Sequence, residues 1–153
     1  MDPALAALCG TVIGAAATAL VPYITIRARR RDETDARRRE DTVALLDAVV
    51  RWLKARRIND WRLVSQTHSE AIVALERLLI NADKRDVDHL QRVTNFVFNA
   101  ATKEDNVHLG AASAEAMSEV LRRWSRGDLK GMAIEDAYGP ALDIQLAMQP
   151  SSS

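Results

Sequence analysis

The sequence predicts an all-α protein, with a single N-terminal transmembrane helix continuous into a cytosolic three- to four-helix bundle, and three observations lead there. Residues 3–26 contain no charged side chain. The thirteen residues that follow, 27–39, carry seven arginines. From Thr42 onward, apolar residues return at three- and four-residue steps with hardly any strand alternation.

The uncharged run is 24 residues long, and at about 1.5 Å per residue it reaches roughly 36 Å, enough to cross a hydrocarbon core of about 30 Å with some tilt. Much of it is Ala, Gly or Thr, and Pro22 removes one backbone donor near its inner end, which a membrane helix tolerates. A cleaved signal peptide would carry positive charge ahead of the apolar stretch, whereas here only Met1 and Asp2 precede Pro3. Positive charge following the span predicts a single-pass protein of the inner membrane, with the N-terminus outside and the remaining residues in the cytosol.

Ala6, Gly10, Gly14 and Thr18 recur every four residues in the span, and such a strip of small residues lets two helix backbones approach closely, so homodimerisation through this face is one expectation. In the charged collar, 27–41, Arg27, Arg29, Arg30, Arg31, Arg37, Arg38 and Arg39 are the expected contacts to anionic lipid head groups, each worth about 1 kcal/mol close to the surface. Asp32, Glu33 and Asp35 offset part of that charge. Opposite charges four apart, such as Arg31 with Asp35, favour helix through the collar.

The bundle is expected over 42–148. Val43, Leu46, Val50 and Leu53 form one helical stripe, read as the first helix's core face rather than as a cytosolic extension of the dimer seam. A break at 58–60 lets Asn59 or Asp60 cap a second helix, in which Trp61, Val64, His68, Ala71, Ile72, Leu75, Leu78 and Leu79 share a face. Residues 81–85 form a polar connection, and Asp86 caps a third helix facing inward with Val87, Leu90, Val93, Val97, Phe98 and Ala101. A fourth helix, its start blurred by Gly110, turns Ala116, Met117, Val120, Leu121 and Trp124 inward and stops at Gly127. Beyond that, a short helix is expected over 132–138, an interruption at Gly139 and Pro140, a last amphipathic turn over 141–148 and a disordered tail over 149–153.

Chemistry is thinly represented. His68, His89 and His108 fall on separate elements, and His68 on an apolar stripe reads as a core histidine. Asp83, Asp86, Asp88 and His89 crowd one connection but lack the glycine and distal glutamate of a calcium loop. No phosphate-binding glycine loop, nucleophile elbow, HExxH pair or CxxC is present. Adjacent carboxylates such as Glu104 and Asp105 point in different directions on a helix. The lone Cys9 permits no disulfide within the chain. No catalytic residue, metal or cofactor is therefore assigned. Formal net charge is zero, with 21 basic and 21 acidic residues, so no global field draws the chain to nucleic acid.

The leading expectation is a membrane-tethered helical interaction module, an adaptor or inhibitor of a protein partner. The alternatives are a membrane-perturbing effector of phage holin or toxin type, acting through oligomers of the span, and, less favoured, a membrane-associated nucleic-acid binder. Trp52, Trp61 and Trp124 read as core or interface aromatics, and one exposed on the bundle would mark a partner site. In organisation and in its arginine- and alanine-rich composition the chain resembles small membrane proteins of high-GC bacteria and their phages, a likeness without a diagnostic motif.

Overall fold

A computed structural model describes the backbone of residues 3–102 and 107–148, and the side chains of 25–102 and 108–148. Five helices run in order, α1 (Pro3–Arg57), α2 (Trp61–Asn81), α3 (Lys84–Thr102), α4 (Val107–Ser125) and α5 (Ala133–Met148), and no strand occurs among the described residues. The chain divides into two compact units between Ala36 and Arg37. Among the described residues no helix is long and apolar enough to cross a membrane. Apart from Thr25 and Ile26, the predicted span lies outside the described side chains, as do Lys103 to Asn106 and the tail expected over 149–153.

Of the first unit, the described side chains, from Thr25 to Ala36, are exposed except for the half-buried Asp35, and Thr34 bonds back to the Arg30 carbonyl at 2.7 Å. The second unit is the helical bundle. It begins at Arg37 rather than at the expected 42, because Arg38 and Asp41 already face inward.

In this unit α1 buries Leu45, Ala48, Val49, Trp52 and Ala55, which corrects the expected stripe. Val43 is 66% and Val50 44% exposed, while Leu46 and Leu53 flank the core half-buried. The cause is that α1 is apolar around most of its circumference here, and Trp52, its largest side chain, lies in helical register with Leu45 and Val49. Asp41 reinforces that orientation from the same face. It is almost fully buried and held by Arg77 at 2.7 Å and by the Asn81 amide at 2.7 Å, both from α2.

Asp60, not Asn59, caps α2, its carboxylate accepting from the Arg62 and Leu63 amides at 3.1 Å each. Asn59 takes a φ of 57° to make the tight turn, a conformation asparagine tolerates better than most residues. The inner face of α2 is Thr67, Ala71, Leu75, Leu78 and Leu79. Ile72, expected inward, lies at its exposed margin.

The inward residues of α3 and α4 are nearly all as the periodicity predicts. Gly110 lies within α4, where a Cβ would sit 3.2 Å from the Ala101 Cα, so the missing side chain allows the two helices to meet backbone to backbone. α4 ends in a Schellman motif: Gly127 at φ 86° donates to the Trp124 carbonyl at 2.8 Å, and Asp128 to that of Arg123 at 3.0 Å.

α5 corrects the expected interruption. It is one helix through Gly139 and Pro140, and it is anchored, with Ile134 and Tyr138 buried against α3 and α4. Pro140 deprives the Asp136 carbonyl of its helical donor. Both residues lie on the exposed side, where an unpaired carbonyl is open to solvent. Packing of Ile134, Tyr138, Ala141 and Leu142 on the core carries the helix past the proline.

Candidate functional site

Three tryptophans distribute themselves unequally. Trp124 and Trp52 are each 1% exposed, whereas Trp61, the first residue of α2, is 66% exposed beside the similarly exposed Ile58. The Asp60 cap fixes where α2 begins and thereby places Trp61 at the rim of the bundle, six residues before Thr67, the first buried position of the helix. An indole left largely in water, next to a second exposed apolar side chain, makes this rim a candidate contact surface.

Behind Trp61 lies an open cleft of about 300 Å³ where the end of α1, the start of α2 and the end of α3 meet. Its walls are Trp61, Val64, Ser65 and His68 from one face of α2, Trp52 and Arg56 from α1, and Thr102 from α3. His68 is not the hydrogen-bonded core histidine its position suggests. Its ring packs in an aromatic cluster, 5.1 Å from Trp52 and 5.8 Å from Phe98, with Trp52 and Phe98 themselves 5.2 Å apart, edge to face. Arg56 donates to the carbonyls of Ala101 and Thr102, the latter at 3.3 Å, and so caps the C-terminus of α3 with positive charge. The Trp52 indole N–H is buried without a hydrogen-bond partner. Leaving such a donor unmet costs about 1–3 kcal/mol.

A second open groove, about 480 Å³, runs between α1 and α2 over Ala44, Ala48, Val73 and Ala74. Arg51 to Glu70 at 3.3 Å and Arg77 to Glu40 at 3.1 Å bridge the two helices across it. These bridges consume its polar groups, so the Trp61 cleft is the stronger candidate.

The residues singled out from sequence fare differently. Ala6, Gly10, Gly14 and Thr18 lie outside the described side chains. Arg27, Arg29, Arg30, Arg31, Arg37 and Arg39 are exposed. Arg38 turns into the bundle, unlike the other six: it pairs with Asp83 at 2.9 Å and lies over the Trp124 ring, 5.5 Å from its centroid.

The acidic connection proves structural. Asp86 does not cap α3 but points inward, one oxygen accepting from the Trp124 indole at 3.0 Å and the other from the Gly131 amide at 2.7 Å. His89 donates to Glu135 of α5, with Arg92 at 3.1 Å from the same carboxylate. The His89 hydrogen bond is the largest influence and holds the Glu135 carboxyl below its ordinary range; loss of hydration opposes it, and the Arg92 and His89 charges add to the lowering. Tyr138 is pushed above the usual phenol range by burial, partly offset by its 3.5 Å hydrogen bond to the Ser113 carbonyl. Among the described residues no group of three histidine, cysteine or acidic side chains is placed to hold a metal ion.

Arg56, Ser65 and Thr102 were not singled out by sequence reasoning. The one available signal was Trp61 directly after a capping residue, a position that lies at the edge of a core rather than within it. No protein-family model, curated protein or solved structure matches the chain.

Proposed function

We propose that the chain is a membrane-tethered helical interaction module, its bundle docking a partner protein at the Trp61 cleft and its N-terminal segment holding it at the inner face of the membrane. The observation that carries the docking reading is the exposed Trp61 over an open cleft lined by three helices. Tethering is supported by the 24-residue uncharged run and the arginines that follow it. Exposed Arg27, Arg29, Arg30, Arg31, Arg37 and Arg39 would then face anionic lipid. The Ala6, Gly10, Gly14, Thr18 strip would bring two spans together.

Membrane fractionation of the tagged chain, with and without residues 1–26, tests the first half. The full chain should stay with membranes through an alkaline wash and the shortened chain should not. Recovery of the full chain in the supernatant would remove the tether. A photo-crosslinking amino acid at position 61 tests the second half. A discrete adduct with another protein, absent when the crosslinker stands at exposed Glu119 instead, is expected; matching adducts at both positions would remove the docking site. Loss of the homodimer crosslink in Gly10→Ile and Gly14→Ile is the corresponding result for the small-residue strip.

A further inference from the structure

We propose that the outward stripe of α1 in the bundle, Val43, Leu46, Val50 and Leu53, is a seam for a second copy of this chain, two α1 helices meeting there in parallel as a short two-stranded coiled coil. This goes beyond docking at Trp61 and takes only the shared direction of the two chains from the tether reading.

The bundle leaves this stripe over. Burial on α1 falls to Leu45, Ala48, Val49 and Trp52, turned away from it, and neither valine belongs to the core cluster. Val43 is 66% and Val50 44% exposed, with Leu46 and Leu53 half-buried beside them. A helix with two apolar faces has one more than its own bundle uses.

Spacing says what the spare face fits. The four residues stand three, four and three apart, a heptad pattern with valine at both a positions and leucine at both d positions. A branched Cβ at a with leucine at d favours two parallel strands, because the a layer of such a pair accommodates the branched Cβ and the d layer the branched Cγ. The stripe is therefore complementary to itself. The next d and a positions on either side, Arg39 and Arg57, are exposed and charged and end it. On α2 no such pattern exists: Val73 and Ile80, 67% and 79% exposed, are also seven apart, but Glu76 and Arg77 stand where an apolar d residue would have to be.

Length decides how the seam works. Free-standing coiled coils take about 3–4 heptads, and the two arginines limit this one to two. Here the bundle already holds α1 helical, and two chains tethered in one membrane meet at a raised effective concentration, so a short seam closes where free bundles would stay apart.

Disulfide crosslinking in native membranes tests this, on the full chain carrying Cys9→Ser and one new cysteine at a time. A disulfide needs its two Cα atoms within about 7 Å, so Val43→Cys and Val50→Cys should each give a dimer on mild oxidation. Ala44→Cys, one position round the helix and also exposed, should not, which separates the seam from two spans that only hold the bundles near each other. Val50→Lys added to Val43→Cys sets like charges opposite one another and should cut the dimer about tenfold. The thermal unfolding midpoint should stay in place, since position 50 lies outside the core.

The proposal falls if 43 and 44 crosslink equally, if neither 43 nor 50 gives a dimer, if Val50→Lys leaves the dimer intact, or if the adduct at 43 contains a different protein. A dimer formed only between cysteine at 43 and cysteine at 53 means antiparallel pairing and overturns it as well. Fractionation reports on the tether separately. Chains in the supernatant that still crosslink at 43 remove the tether and leave the seam, whereas membrane-bound chains that do not crosslink remove the seam and leave the tether.

Discussion

Trp124 and Trp52 are equally buried, and the surroundings of their indole N–H groups are opposite. The Trp124 donor meets a carboxylate that also holds the Gly131 amide, and a guanidinium covers its ring. The Trp52 donor meets nothing, beside an open cleft walled by Arg56 and an exposed Trp61. One region satisfies its indole and the Gly131 amide, although the Nε of the covering Arg38 is buried without a partner. The other keeps its indole donor buried and unmet, a cost that the packing of Trp52 with His68 and Phe98 has to offset.

The strongest way to break this contrast is Asp86→Ala. It strands two buried donors at once and should cost about 3 kcal/mol in denaturant unfolding. A loss under about 1 kcal/mol would show that the Trp124 region is not the better-satisfied one. Next comes the pair Trp124→Phe and Trp52→Phe, which remove similar volume but unequal hydrogen bonding. Trp124→Phe should be the more destabilising by about 1.5–3 kcal/mol, the worth of a hydrogen bond to a charged group. Equal losses would erase the distinction.

Gly131→Ala probes the Asp86 region from its other side. No atom lies within 4 Å of the added methyl, so the cost is that of forcing a non-glycine residue to φ 55°, about 1 kcal/mol by thermal or chemical unfolding. At Glu135 the sign follows from a native carboxyl held below its ordinary value of 4.5. The stabilisation is present above that value and is lost as the pH falls from it through the lowered native one. Glu135→Gln should therefore flatten the acid limb by lowering the neutral region while leaving the acid end, where the parent carboxyl is protonated, closest to the parent, as read from midpoints between pH 3 and 7 (about the span over which carboxyls titrate). The smallest effect belongs to Trp61→Ala, expected within about 0.5 kcal/mol of the parent. A large loss there would mean that the exposed indole serves the fold rather than a partner.

Sequence periodicity located helices α2, α3 and α4 and most of their inward residues, because each has one apolar face and a polar remainder. It misplaced the face of α1, where Val43, Leu46, Val50 and Leu53 and the true set containing Leu45, Val49 and Trp52 both satisfy helical spacing. Only the neighbours choose between them, although Trp52, with the most surface to bury, already favoured the second. Pro140 was read as a break because local rules take no account of Ile134 and Tyr138 packing on either side of the bundle's last contacts. Asp86 was read as a cap because its partners, Trp124 and Gly131, lie 38 and 45 positions away. The cleft was legible only through Trp61. Its other walls come from three helices whose meeting no spacing rule encodes.

The inward face of α1 also governs the order of events during synthesis. Leu45, Val49 and Trp52 are made before every helix that covers them, and Tyr138, the last residue of the core cluster, follows Trp52 by 86 positions. At a translation rate of about 5–20 residues per second, the core waits roughly 4–17 s for its last member. A nascent chain paused in that interval would expose one of the stickiest surfaces the protein has, which makes this stretch the place where a ribosome-associated chaperone has most to protect.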